Sequence, residues 1–548
     1  MKRRTRITAF ILFIVLCAGI FAGCSRENAG TPDDAASSPA DTAEKEPRST
    51  LRFPEKDRYH YDMELTLDNR NQTVGGHVVF DFYNDSEDSW DKLCMRDYPS
   101  LYTDPDNLGY DEDSVLATEL KGGKQTEITN IIDGRDGSSL EYKRDKDVSV
   151  IWLELAKPLA PNEKMTLEYD FVTTIPSGPD RFGFIYTPYD YFNVTHFYPI
   201  LAEYADGEWS HAGFIAVGEC FYSETADYDV RLTVPKSHTV AATGIQTAKQ
   251  ENENTVTYTY NAPCVRDFVF CASDDFVCES RVFDGVNVNV VYREHSDIED
   301  MKPCVETAFM AAENSLDVFG KVLGVYPYDE LDIVISPYHG SGMEYPTLIL
   351  MGEMNCAETY ILDENKEIAR GTDHRAFEIV ISHEIGHQWF MGIVGSNSGV
   401  EPWQDESLTS YLELVYWDNV HDGDYSDVGM APLPRTKTEL SNEKDVEKLK
   451  KKNQLPIDRA YVDFGKDFAY QEGVYTVGQR VFDEMEQILG REEMYSLLRE
   501  YVHENAFTNA FPSDFFKVLY AHAGTDNEKL NELIATAFSA DVQPANFA

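Results

Sequence analysis

Cationic side chains are scarce in this sequence. Its 548 residues include 47 Lys and Arg against 96 Asp and Glu, giving a formal net charge of −49 at pH 7. Nucleic-acid binding needs a basic surface that neutralises phosphates, so this composition argues against a nucleic-acid partner. The acidity could attract cationic peptide termini, but we favour the simpler interpretation of an acidic, solvated surface.

Cysteine is also sparse, with nine residues in the chain. No two cysteines stand in a CxxC arrangement, so they give no sign of a second metal site. Seven lie beyond the first 24 residues, scattered from Cys94 to Cys356. An odd number cannot all pair within one chain, so one or two disulfides and buried free thiols both remain open.

Long apolar runs are absent except near the N-terminus. A basic segment at residues 2–6 precedes an apolar stretch at 7–23, which is typical of a secretion signal and short for a membrane span. The following FAGC resembles a bacterial lipobox. We therefore expect a lipoprotein-type signal peptide (1–24) and a lipid anchor on Cys24, holding the folded part on an extracytoplasmic membrane surface, at the cell surface or periplasmic face. An uncleaved N-terminal anchor is the alternative.

The rest of the chain divides by pattern. Residues 25–52 are rich in Ala, Ser, Pro and charge without periodicity, which predicts a disordered tether. From 53 to 283, short alternating segments such as YDVRLTVP predict an all-β domain. From 284 to 548, helical patterns dominate around a strand pair, LDIVIS and TLILM. The predicted fold class is α+β.

Residues 383–406, HEIGHQWFMGIVGSNSGVEPWQDE, carry the strongest chemical signal. On a helix, positions i and i+4 share one face, so His383 and His387 can fill two corners of a tetrahedral zinc. Glu384 is then placed to act as a base on a water molecule. We take Glu406, which opens a second predicted helix from about Asp405, as the third ligand, leaving the fourth position to water. The sequence predicts a zinc hydrolase with one Zn²⁺ per chain.

The surrounding residues make the motif specific. HEIGHQWFMGIVG followed by WQDESLTSYLE resembles the zinc motif of the aminopeptidase N family, which includes the leukotriene-hydrolase aminopeptidases. The family's third ligand usually stands between Asn and Gly, where this chain has Asp405 and Ser407. The resemblance implies a saddle-shaped N-terminal β domain followed by a thermolysin-like, mainly helical catalytic domain. The large helical C-terminal domain of many relatives is not expected within 548 residues.

Upstream, GSGMEYP resembles the family's exopeptidase motif, GxMEN. By position, Glu344 is implied to hold the free amino group of a substrate, with Gly342 and Met343 beside it, while Tyr345 replaces the motif's asparagine. The glycines before TLILM predict a loop leading into an edge strand that can pair with a peptide. A surface glutamate in a turn is the alternative for Glu344.

Downstream, YQEGVYTVGQRVF resembles the family's YxKG segment and the helix after it. The resemblance implies that Tyr470 donates a hydrogen bond to the oxyanion of the tetrahedral intermediate. Glu472 stands where lysine is usual. Tyr461 and Tyr475 lie nearby and compete for the same role.

Together these features predict a zinc aminopeptidase acting on peptides with a free N-terminus. An endopeptidase of the same zinc class is one alternative. A surface lipoprotein that binds peptides and keeps zinc only for structure is another, although a structural zinc site requires neither a base such as Glu384 nor a phenol such as Tyr470. Oligomeric state, first-residue preference and a second amine-binding residue from the β domain cannot be inferred from the sequence.

Overall fold

The computed structural model describes residues 50–548 except 56–57, 109–119, 187, 206, 212–221, 297, 299, 357–358, 363–367, 372–373, 424–438, 540–541, 543 and 548. The predicted signal peptide with Cys24, and all but the last residues of the tether, lie outside this part. Within it, no helix combines the length and the apolar character needed to cross a membrane.

The described residues from Tyr59 to Arg293 form mainly strands, and in several of these strands buried and more exposed positions alternate. In Ala226–Pro235, for example, every second residue is buried, as expected for a sheet with one face on the core. The strands are β1 (Tyr59–Asp68), β2 (Thr73–Tyr83), β3 (Trp90–Arg96), β4 (Glu127–Asp133), β5 (Ser138–Ser139), β6 (Tyr142–Arg144), β7 (Val150–Leu159), β8 (Lys164–Thr174), β9 (Gly183–Tyr186), β10 (Asp190–Val194), β11 (Ile200–Leu201), β12 (Tyr204–Ala205), β13 (Glu208–Trp209), β14 (Ala226–Pro235), β15 (Thr239–Ala242), β16 (Ile245–Glu251), β17 (Thr255–Val265), β18 (Phe270–Ser273), β19 (Phe276–Phe283) and β20 (Val286–Arg293).

Eight of these twenty strands form one large sheet, and smaller sheets complete the region. The large sheet has the order β16-β17-β14-β1-β2-β8-β4-β5. Within it, the neighbouring strands β1 and β14 run parallel, with Met63 opposite Val230. Two four-stranded sheets, β15-β18-β10-β9 and β11-β3-β7-β6, and the β12-β13 hairpin complete the region. Stacked rings such as Tyr61 on Tyr228, with centroids 4.8 Å apart, fill its core.

A five-stranded sheet connects this region to the helices. Its order is β19-β20-β21-β23-β22, where β21 is Glu330–Ser336, β22 is Gly342–Tyr345 and β23 is Leu348–Gly352. The prediction that TLILM forms an edge strand is wrong. Most of this segment belongs to β23, which lies between β21 and β22 inside the sheet. The motif residues Gly342–Tyr345 pair antiparallel with its outer side and themselves form the edge.

Helices and a few short strands make up the remainder. The helices are α1 (Lys302–Val322), α2 (Glu353–Cys356), α3 (Arg375–Gly386), α4 (Glu406–Val420), α5 (Glu443–Lys451), α6 (Tyr461–Phe464), α7 (Asp467–Gln471), α8 (Gly478–Leu489), α9 (Arg491–Asn505), α10 (Pro512–Ala523) and α11 (Glu528–Ala537). A π-helical segment, Glu472–Val477, joins α7 to α8, and 3₁₀ turns occur at Tyr98–Thr103, Pro105–Leu108, Pro402–Gln404 and Pro544–Phe547. The short strands are β24 (Thr359–Leu362), β25 (Ile368–Gly371), β26 (Val394–Gly395) and β27 (Thr508–Asn509).

Specific bonds tie these parts together. A disulfide links Cys304 of α1 to Cys356 of α2, so disulfide and free thiols coexist; Cys94, Cys264 and Cys271 are buried and unbridged. From the β region, the buried guanidinium of Arg266 donates hydrogen bonds to the carbonyls of Gly392 (3.0 Å) and Thr508 (2.8 Å). A buried charge is costly unless it is hydrogen-bonded, so these bonds fix the β region against the segment that follows α3.

Candidate metal centre

Helix α3 places the two motif histidines side by side. His383 lies in its last turn and His387 caps its C-terminus, and their rings have centroids 4.7 Å apart. The helix is buried on nearly all sides, through Phe377, Ile381 and Ile385. Because the helix cannot rotate without exposing these apolar side chains, the histidine rings are held in fixed positions.

The third predicted ligand comes from the next helix. Helix α4 begins at Glu406, as predicted, and Oε2 of Glu406 lies 3.3 Å from Nε2 of His383 and 3.2 Å from Nε2 of His387. The two Nε2 atoms are 3.0 Å apart. In a tetrahedral zinc site with metal–ligand distances of about 2.0–2.1 Å, neighbouring ligand atoms are about 3.3 Å apart. The three atoms therefore form a triangle that matches one face of such a site.

The chemistry of these donors also fits a cation. Two Nε2 atoms 3.0 Å apart cannot both direct a proton at each other, and Glu406 adds a carboxylate oxygen to the same point. Burial lowers the pKa of His383, but hydrogen bonds to Glu406 and Glu413 outweigh it and raise that pKa to about 8. Burial raises the pKa of Glu406, but the imidazoles outweigh it and lower that pKa below its usual value. The raised pKa of His383 means that this imidazole tends to hold a proton when no metal is bound. A divalent cation would displace that proton on binding.

Acceptors at the Nδ1 atoms orient the histidine rings. Oε1 of Glu413 lies 2.8 Å from Nδ1 of His383. Nδ1 of His387 lies 3.1 Å from the carbonyl oxygen of Phe390, and the carboxylate of Asp405 approaches the same Nδ1 as a charged neighbour at 2.7 Å. Such partners hold a metal-ligating histidine in the tautomer that presents Nε2. Glu413 was not among the residues predicted from the sequence. Its position seven residues after Glu406, two helical turns along the same face, is the signal that could have found it.

Glu384 lies at the edge of the triangle. Its side chain is 6% exposed, and Oε2 has no hydrogen-bond partner among the described residues. Burial raises its pKa to about 7, in the range that suits a general base near neutral pH. A Cβ atom at position 342 would lie 2.1 Å from Oε1 of Glu384, so Gly342 leaves the space that this carboxylate occupies.

Strand β22, which carries the predicted exopeptidase motif, packs directly against the segment that contains His387 and Gln388. Glu344 is buried, with Oε1 3.9 Å from Nδ1 of His387. The side-chain amide of Gln388 donates to the carbonyl of Tyr345 (3.1 Å) and accepts from the backbone N–H of Thr347 (2.9 Å). Gln388, which was not among the residues predicted from the sequence, thus connects the strand to the helix of the predicted metal ligands. The side chain of Met343 lies in the core, so the predicted substrate contact would have to come from its backbone.

Three tyrosines were candidates for the oxyanion donor. Tyr470 is buried, with its ring centroid 4.9 Å from that of Tyr461 and 5.7 Å from that of Phe464. The hydroxyl of Tyr475 donates a hydrogen bond to Oε1 of Glu406. Tyr475 therefore contacts one of the predicted metal ligands.

Comparison with known proteins finds a family model that matches the helical part of the chain. The family model described as Peptidase family M1 domain matches residues 307–536. This stretch is an M1 peptidase domain. It contains His383, Glu384, His387, Glu406 and all three candidate tyrosines, and with the aminopeptidase relatives it confirms the family predicted from the sequence.

Relatives of the M1 domain bear aminopeptidase names. Aminopeptidase M1-A of Oryza sativa subsp. japonica is 23% identical over 341 residues, which cover 60% of this chain and 35% of the relative. Aminopeptidase O of Rattus norvegicus is 25% identical over 148 residues, which cover 27% and 16%. The chain thus spans about a third or less of the length of these curated relatives.

Solved structures extend the likeness of fold beyond the M1 domain. An M1 zinc metallopeptidase from Deinococcus radiodurans covers 89% of this chain and 94% of its own, with a TM-score of 0.54 and 15% identity. A mutant of that enzyme bound to a Tyr-Ser-Ala substrate gives a TM-score of 0.55 at 15% identity, over 88% and 94%. At this identity the likeness establishes the fold. The predicted α+β class, with a β region before a helical catalytic region, is confirmed.

Proposed function

We propose that this chain is a zinc-dependent aminopeptidase that removes the N-terminal residue from peptides outside the cytoplasm. The observation that carries the proposal is the triangle of Nε2 of His383, Nε2 of His387 and Oε2 of Glu406, with the buried carboxylate of Glu384 beside it. The M1 domain, the aminopeptidase names of the relatives and the peptide bound to a structural neighbour all support it.

Zinc held by these three side chains would polarise the scissile carbonyl and make a water molecule more acidic. Glu384 takes the proton of the attacking water and passes it to the leaving amine, a transfer favoured by a pKa near the operating pH. The phenol of Tyr470 is proposed to donate to the developing oxyanion. Rigid packing of α3 and α4 keeps these groups in place through the reaction.

Glu344 is proposed to set the exopeptidase specificity. Its carboxylate is buried at the sheet edge, and an ammonium group at the substrate's N-terminus would pair with it. A blocked N-terminus offers no such charge. The backbone of β22 (Gly342–Tyr345) runs along the same edge, where an extended substrate can add as a further strand.

The proposed location outside the cytoplasm rests on the sequence alone. The basic and apolar segments at residues 1–24 have the pattern of a lipoprotein signal, and Cys24 stands where the lipid would be attached. Mass spectrometry of the N-terminus of the protein expressed in a bacterium tests this. A diacylated Cys24 is expected, and an unmodified chain that retains residues 1–23 would contradict it.

The activity is tested with a panel of aminoacyl-fluorophores, N-acetylated counterparts and an internally quenched peptide blocked at both ends. We expect cleavage of free-amine substrates only, abolished by a chelator and restored by Zn²⁺. Equal cleavage of free and acetylated substrates, or of the blocked peptide, would instead indicate an endopeptidase. Peptide binding without any turnover in the zinc-loaded protein would indicate a non-catalytic binding protein.

A further inference from the structure

The π-helical segment Glu472–Val477 lies directly over the metal ligands. It interrupts the path from α7 to α8, so the side chains in it point differently from those of a regular helix. Such π-helical insertions are frequent at functional sites. The segment contains Tyr475, which is only partly buried, whereas its neighbours Val474 and Val477 are fully buried. Its ring packs against a small apolar cluster that includes Tyr470 and Val474, and part of it stays exposed.

Tyr475 contacts two of the three metal ligands. Its hydroxyl donates a hydrogen bond to Oε1 of Glu406, and its ring lies nearly parallel to that of His383, with centroids 6.1 Å apart. Oε2 of Glu406 faces both histidines. The two oxygens of Glu406 are thus used separately: one points into the triangle and the other is taken by the phenol. This arrangement disfavours binding of the metal through both oxygens.

A second contact fixes the π segment against helix α4. The hydroxyl of Ser407, the residue after Glu406, donates to the carbonyl of Val474, the residue before Tyr475, at 2.6 Å. A Cβ atom at Gly478 would lie 2.1 Å from Oγ of Ser407, so only glycine at 478 leaves room for this hydroxyl. Ser407 stands where the family usually has glycine, so this bond depends on a residue in which the chain departs from the family pattern.

We propose that Tyr475 is a positioning residue that holds Glu406 as a one-oxygen metal ligand, and that the Ser407–Val474 hydrogen bond places Tyr475 for this task. The inference rests on the proposed function, because it assumes that Glu406 binds the metal. It assigns Tyr475 to the metal and leaves the oxyanion to Tyr470. An oxyanion donor works best when its O–H is already aimed at the developing oxyanion, whereas the O–H of Tyr475 is aimed at Glu406.

The test measures zinc affinity by competition with a chromophoric chelator, so it does not depend on activity. Partners of metal ligands typically contribute about ten- to a hundredfold in affinity. We expect Tyr475→Phe to weaken zinc binding by that factor, and Tyr470→Phe, the matched control, to leave it within about twofold while lowering kcat. X-ray absorption of the zinc-loaded Tyr475→Phe protein should show a longer, two-oxygen contact from Glu406.

Ser407 supplies a second set of variants that keeps the phenol in place. Ser407→Gly should weaken zinc binding several-fold and Ser407→Thr, which keeps the hydroxyl, should weaken it less. Because both residues act through Glu406, the Tyr475→Phe/Ser407→Gly double variant should bind zinc about as weakly as Tyr475→Phe alone. These comparisons stand even if one tyrosine variant folds poorly.

Unchanged zinc affinity in both Tyr475→Phe and Ser407→Gly would overturn the inference. A loss of kcat in Tyr475→Phe at unchanged affinity would also overturn it, by making Tyr475 the oxyanion donor. Failure of the proposed function has a different signature, since the parent protein would then bind no stoichiometric zinc or would bind zinc without cleaving any free-amine substrate.

Discussion

The two ends of the candidate site are assembled in different ways. At the metal end, His383 and Glu406 are only 23 positions apart and come from consecutive helices. At the amine end, strand β22 is held against the zinc helix through the amide of Gln388, whose partner Tyr345 lies 43 positions earlier. The first end follows from local helical spacing, and the second depends on tertiary hydrogen bonds. Changes at the metal end should remove catalysis for every substrate, and changes at the amine end should alter which substrates are chosen.

The largest effect is expected at Glu384. Replacing it with Gln removes the base but none of the three ligands, so Glu384→Gln should keep stoichiometric zinc and lose at least about a hundredfold in kcat. Steady-state kinetics with metal analysis on the same sample measure both quantities. Turnover close to that of the parent protein would show that another group accepts the proton.

A smaller loss is expected where the two ends touch. In Gly342→Ala the new Cβ would lie 2.1 Å from Oε1 of Glu384 and would displace that carboxylate. Misplacement of a catalytic group by about 1 Å can cost about a hundredfold, so we expect kcat to fall about ten- to a hundredfold with little change in zinc affinity. Ser341→Ala, an exposed neighbour in the same motif, is the control and should keep the parent kcat.

The amine end alone is tested at Glu344. Glu344→Gln preserves shape and removes charge, and hydrogen bonds to charged groups contribute about 1.5–3 kcal/mol, so KM for free-amine substrates should rise about tenfold or more. Zinc content should not change, and N-acetylated substrates should stay uncleaved. A loss of zinc together with the loss of activity would place Glu344 at the metal end instead.

The smallest effect on turnover is expected at Gln388, whose side chain hydrogen-bonds Tyr345 and Thr347 at the end of strand β22. Gln388→Met leaves the carbonyl of Tyr345 and the N–H of Thr347 buried without their partner, which should lower the free energy of unfolding by about 1–3 kcal/mol. KM should rise more than kcat falls, because the strand loosens while the metal ligands stay. Urea unfolding and steady-state kinetics of one preparation check this. An unchanged free energy of unfolding together with an unchanged KM would mean that the hydrogen bonds of Gln388 do not hold the strand in place.

The same contrast explains what could be read from the sequence. The spacing of His383 and His387 and the start of the helix at Glu406 follow from helical geometry, so they were predictable from residues alone. The contact of Gly342 with Glu384, the tie through Gln388 and the exchange of TLILM for Gly342–Tyr345 at the sheet edge depend on which elements pack together. No periodicity within either segment encodes that choice.

The tyrosines show the limit most clearly. Tyr470 and Tyr475 lie five positions apart, and in a regular helix they would point in different directions in a predictable way. The π-helical segment changes that direction, and it is hydrogen-bonded to Ser407, which packs against Gly478. The disulfide between Cys304 and Cys356 is a similar case, since seven scattered cysteines allow many pairings.

Zinc stoichiometry in the parent protein and in Glu406→Ala tests the central claim most directly. Equilibrium dialysis against Zn²⁺ followed by metal analysis should give one zinc per parent chain. In Glu406→Ala, which removes one corner of the triangle, zinc binding should weaken by at least about a hundredfold, beyond the range expected for a mere partner of a ligand. Tight binding of one zinc by Glu406→Ala, at the affinity of the parent protein, would contradict the account.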